Sequence, residues 1–88
     1  MEKFEIIPIA KKKLERRGIP QEWVGETINN PDQIVDGYGD RKVAQKKYLI
    51  QEKEYLLRIV YEESVGMQIV LTAYLTSQVK RYWKEEER

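Results

Sequence analysis

Residues Tyr55 to Trp83 read YLLRIVYEESVGMQIVLTAYLTSQVKRYW. Two apolar runs of strand length flank a short polar turn, and a basic, aromatic tail follows. The pattern predicts a β-hairpin. In the first run Tyr55, Leu57, Ile59 and Tyr61 share one face, while Leu56, Arg58 and Val60 share the other. A guanidinium inside an apolar strand needs a partner, because an unpaired buried charge is expensive. Arg58 therefore either pairs with a carboxylate, such as Glu54 or an Asp, or faces an open surface that binds an anion. In the second run Ile69, Leu71 and Ala73 alternate with Val70, Thr72 and Tyr74. A hairpin in simple register sets Thr72 and Tyr74 beside Arg58.

The first half of the chain reads as helix. Ala10, Leu14 and Arg17 share a face in a helix over residues 8–17, which Gly18 ends. Pro20 opens a second helix that buries Trp23, Val24, Thr27 and Ile28, and Asn30-Pro31 stops it. Gln33 to Val35 is a short strand, Gly37 to Asp40 a turn, and Lys42 to Ile50 a second strand. Gln51 to Glu54 reads as a polar turn and Glu63 to Gly66 as a hairpin loop. Thr76-Ser77 caps a last short helix holding Val79, Tyr82 and Trp83. The expected architecture is α+β: two N-terminal helices packed on one face of a four-stranded, mainly antiparallel sheet, with a short C-terminal helix. The opposite sheet face is left partly open. A chain of 88 residues makes a single domain, 1–88.

Composition excludes several chemistries. The chain has no cysteine and no histidine, so disulfides, thiolate metal sites and imidazole catalysis are absent. No cofactor and no metal are expected. Apolar runs are far shorter than the roughly 20 residues that span a bilayer. MEKFEIIPIA is too short and too acidic for a signal peptide, so a cytoplasmic location is expected. Net charge is only +1, from 16 basic and 15 acidic residues, so no strong global field steers polyanions to the chain. Local basic clusters exist at Lys11 to Lys13, Arg16-Arg17, Arg41-Lys42, Lys46-Lys47 and Lys80-Arg81, and Glu85 to Glu87 end the chain acidic.

Five strings in order resemble a known group: Arg17-Gly18-Ile19, Asn30-Pro31-Asp32, Arg41 to Tyr48 (RKVAQKKY), Leu56 to Tyr61 (LLRIVY) and Thr72 to Trp83 (TAYLTSQVKRYW). The group is a family of small uncharacterised bacterial and archaeal domains near the RelE/ParE and BrnT toxins. That resemblance implies a RelE-like fold with a sheet cleft, in which toxin relatives cleave RNA. It also implies a small cognate antitoxin as partner. The family usually carries a His in its first helix, where this sequence has Ile9.

Candidate site residues follow from both arguments. Arg58 is the proposed phosphate clamp, since its planar fork binds phosphate bidentately. Tyr74 or Tyr82 would move a proton, and Lys46 or Lys80 would stabilise transition-state charge. Lys47, Thr72 and Arg81 are candidate RNA-binding residues. Lys46 and Lys47 fall on opposite strand faces, so at most one enters the cleft. Against each stands a structural alternative: an internal ion pair for Arg58, a half-buried strand aromatic for Tyr74, solvated edge lysines, and a solvated C-terminal helix. Two functions remain open. One is the toxin-like component of a toxin–antitoxin pair, a metal-independent endoribonuclease. The other is a non-catalytic RNA- or protein-binding module that has lost the family's His.

Overall fold

The computed structural model describes residues 4–85. The chain runs β1 (Phe4–Ile6), α1 (Pro8–Arg17), α2 (Gln21–Asn29), β2 (Gln33–Asp36), β3 (Lys42–Ile50), β4 (Lys53–Ser64), β5 (Met67–Thr76) and α3 (Val79–Tyr82). The strands form one sheet of five in the order β1-β5-β4-β3-β2. β1 runs parallel to β5, and the remaining neighbours are antiparallel. The α+β class stands. The four-stranded, mainly antiparallel sheet headed by two helices does not: a strand precedes the helices and makes the sheet five-stranded and mixed. Phe-Glu-Ile is too short to show a period of two. Its partner also lies at the far end of the chain, with Phe4 opposite Gln68. The leader reading of the N-terminus falls partly on residues 1–3, and Glu86 and Glu87 of the acidic run complete the positions outside the described residues together with Arg88.

Local chemistry sets the helix limits. Pro8 occupies the first helical position of α1, where its missing N–H is no loss. Gly18 closes α1 at φ 68°, and the next amide, Ile19 N–H, reaches back to Leu14 O at 2.9 Å. One side of each helix then turns inward. Ala10 and Leu14 from α1, and Val24 and Ile28 from α2, join Ile6, Ile19, Ala44, Leu57, Ile59, Tyr61, Val70 and Ala73 in a single core. Trp23 stacks on Tyr48 at the margin of this core, with ring centroids 4.4 Å apart. No helix among the described residues is long and apolar enough to cross a membrane.

Both hairpins are tighter than the polar strings suggest. β3 and β4 pair as far as Ile50 opposite Lys53, so the turn is Gln51-Glu52 alone. Both residues take positive φ, 51° and 66°, the geometry of a type I′ turn that matches strand twist. A β-bulge separates Val60 from Tyr61 in the β4–β5 pairing: Val60 faces Thr72 but Tyr61 faces Val70. Leu71 is the extra residue, and it switches the parity of β5. Val70 therefore shares the helix-covered core with Ala73, although simple alternation groups it with Thr72 and Tyr74.

The second sheet face is not open. After β5 the chain folds back across it. Tyr82 lies over Arg58 on β4, Trp83 over Lys47 on β3, and Lys84 bonds to Gln33 on β2. Val43, Gln45 and Leu56, which lie outside the helix-side core, are buried on this side.

Candidate nucleic-acid interface

Strand register builds the site. Gln33 lies opposite Gln45, Gln45 opposite Arg58, and Arg58 opposite Tyr74. Four neighbouring strands thus carry one row of polar side chains across the face away from α1 and α2. The row is hydrogen-bonded end to end. Gln45 Nε2 donates to Gln33 Oε1 at 2.9 Å. Arg58 Nε donates to Gln45 Oε1 at 2.6 Å, and Arg58 Nη1 donates to the Tyr74 hydroxyl. Gln45 has no exposure at all, so its amide must be satisfied internally, and both its ends are.

Arg58 therefore resolves the choice left by the sequence in a third way. Neither Glu54 nor any Asp pairs with it. Among the described residues its partners are a neutral amide and a phenol, and no ion pair includes it. Its guanidinium also stacks under Tyr82, 4.2 Å from the ring centroid, with Tyr74 at 5.5 Å. Tyr74 and Tyr82 meet edge to face at 6.2 Å. The result is a permanent cation, half-buried, held in place by neutral groups.

The other candidates divide. Arg58, Tyr74 and Tyr82 are brought together. Lys47 lies on the same face two positions from Gln45, with its ammonium 4.0 Å above the Trp83 ring. Arg81 flanks the cluster, its guanidinium 5.4 Å from Tyr82 and bonded to Gln78. Lys80 is exposed and shares a cleft of about 480 Å³ with Lys53, Glu54, Ser77, Gln78, Val79 and Arg81. Thr72 sits at the β5 edge, where Arg17 reaches round from α1 to donate to Ala73 O at 2.6 Å and to the Thr72 hydroxyl at 3.4 Å. Lys46 is not part of the site. It points to the helix side, donates to Asn30 O at 3.1 Å and lies 3.8 Å from Asp32.

Gln45 and Gln33 were missed by sequence reasoning. The signal was present in RKVAQKKY, where Gln45 is the one uncharged polar residue on a face that also carries Val43. Lys84 was missed because its contribution is made by its backbone.

On the helix side a different pair of polar groups meets. The Tyr48 hydroxyl donates to Glu26 Oε1 at 2.7 Å. Burial, then the bond to the Glu26 carboxylate, pushes the Tyr48 phenol up to about 12. Each disfavours the phenolate.

Comparison with known proteins places the chain in a family. Residues 10–75 match Domain of unknown function (DUF4258), and the chain belongs to that family. No curated protein and no solved structure gives a significant match. Gln33, Gln45, Arg58 and Tyr74 fall inside the matched segment; α3, Trp83 and Lys84 follow it.

Proposed function

We propose that this family member binds single-stranded RNA on the face that carries the Gln33–Gln45–Arg58–Tyr74 row, and that it does so without cleaving it. Arg58 carries the reading. Guanidinium groups in structural roles are neutralised by carboxylates, since a desolvated charge held only by neutral partners is costly. Here the charge is retained, half-buried, with two of its five N–H donors committed to the row. The remaining donors suit a phosphate. Lys47 extends the positive surface along β3, Tyr74 supplies a ring on the face itself, and the places over Arg58 and Lys47 where the Tyr82 and Trp83 rings lie are ones that a base can take. Aromatic and basic side chains interleaved on a sheet face are a recurrent way to hold single strands.

Binding is favoured over cleavage by the chemistry of the neighbours. Hydrolysis through the 2′-hydroxyl needs a proton acceptor near the phosphate. The chain has no histidine, and the Tyr74 hydroxyl already accepts a hydrogen bond from Arg58. Lys46, expected to stabilise charge, faces the other side of the sheet.

Fluorescence anisotropy with a short labelled oligouridine tests the proposal, together with a gel of the same RNA after long incubation. Saturable, salt-sensitive binding of RNA that stays intact is the expected result. Cleavage over many turnovers would instead establish the toxin-like nuclease suggested by the resemblance. Absence of binding at low salt would overturn both.

A further inference from the structure

We infer that the C-terminal strap, residues 78–85, is a resident occupant of the RNA-binding face. Tyr82 and Trp83 hold the stacking positions over Arg58 and Lys47 until two unpaired bases displace them. The inference rests on the RNA-binding reading and adds its mode of access and its selectivity for unpaired strands.

The contacts are those of an occupant. Arg58 and Lys47 each have a strap ring over them, Tyr82 at 4.2 Å and Trp83 at 4.0 Å. A nucleobase presents the same π-face to the same cations. Below the rings, the strap is fastened chiefly by side chain to backbone bonds. Gln33 Nε2 donates to Lys84 O at 2.6 Å, and Lys84 N–H donates to Gln33 Oε1 at 3.0 Å. Gln45 Nε2 also points at Tyr82 O, at 3.4 Å. Such a fastening is worth far less than the paired strands beneath it, so the strap opens before the sheet does.

The latch and the ladder share an atom. Gln33 Oε1 accepts from Gln45 as well as from Lys84 N–H. Gln45 in turn holds Arg58. When the remaining Arg58 donors take a phosphate, the guanidinium shifts against Gln45, and the shift passes to the residue that fastens the strap. Closure in the absence of RNA is favoured because the strap side of the sheet contains Leu56, which has no solvent exposure. Ser77 and Gln78, both exposed at the start of the strap, are the hinge. Bases already stacked in a duplex cannot replace Tyr82 and Trp83, so duplex RNA leaves the strap shut.

Two readouts separate this inference from the reading it rests on. The chain has two tryptophans, so the Trp83 indole resonance is assignable with Trp83→Phe. A short oligouridine is titrated against wild type and Lys84→Pro, which removes the N–H bonded to Gln33 and leaves every side chain of the row in place, with a duplex of equal length as comparison. Because apparent affinity scales with the open fraction, loosening the latch is expected to tighten oligouridine binding by up to roughly tenfold. Oligouridine, and not the duplex, is expected to move the Trp83 signal. Trp83→Ala serves as the second variant, since it removes the strap ring over Lys47 and leaves the row in place; it too is expected to bind more tightly. RNA binding with an unmoved Trp83 signal, and with neither variant tighter than wild type, would overturn the strap while leaving RNA binding intact. Failure of wild type and both variants to bind would overturn both.

Discussion

The two faces of this sheet are built on opposite principles. Under α1 and α2 the strands present Ala44, Leu57, Ile59, Tyr61 and Ala73, apolar and buried, against apolar helix faces. On the other side the same strands present Gln33, Gln45, Arg58 and Tyr74, joined by hydrogen bonds and covered by a short segment. Burial of apolar area is non-directional and tolerates small shifts, so the first face supplies stability. A polar row is directional and expensive when partly satisfied, so the second face supplies geometry. In a chain this small, a row that stabilises little and fixes a cation firmly is the observation on which the proposed binding surface rests.

The largest expected effect tests the helix side. Leu57→Ala removes a side chain with no solvent exposure. It should destabilise the domain by about 2–5 kcal/mol in urea unfolding. At temperatures where it remains folded, its RNA affinity should match wild type. Arg58→Met sharpens the contrast from the other side. Loss of the donor leaves Gln45 Oε1 without its Arg58 bond, which costs about 1–3 kcal/mol. Here RNA binding should vanish while the domain still folds.

A substitution between the faces should act on neither separately. Gln51 and Glu52 form the β3–β4 turn at positive φ, where side chains other than Asn, Asp and Gly are strained. Gln51→Asn with Glu52→Gly should raise stability by about 1 kcal/mol. Equal RNA affinity is expected, and a change would mean that the turn couples to the ladder.

The last effect is confined to high pH. An unfolded tyrosine ionises near 10, and Tyr48 in the fold near 12. Between these values the unfolded chain has lost a proton that the folded chain keeps. Stability therefore falls as pH rises across that window and is unaffected by this group below it. Tyr48→Phe should remove that component of the pH dependence, measured by urea unfolding across the alkaline range.

Legibility differed between the same two faces. Periodicity located α1, α2 and β3 because each is long enough to show its repeat. It failed at Phe4–Ile6, a strand made by a partner far along the chain, and at Leu71, where one extra residue reversed the parity of β5. Arg58 stood out because a charge in an apolar strand is conspicuous, and Tyr74 fell beside it because the bulge lies beyond their shared register. Gln45 left only a faint signal, one uncharged amide on the face of Val43, which the flanking lysines obscured. The strap was legible as a helix but not as a cover. Nothing in VKRYWK states that its backbone will meet Gln33.

The most direct test of the account is the salt dependence of oligouridine binding by wild type and Arg58→Gln. The account predicts that wild type binds with affinity falling as salt rises. Arg58→Gln should bind at least tenfold more weakly, with a shallower slope by roughly 0.7 for the lost single-strand phosphate contact. Equal affinity and equal slope in the two proteins would contradict it, and would return Arg58 to a purely structural place in the sheet.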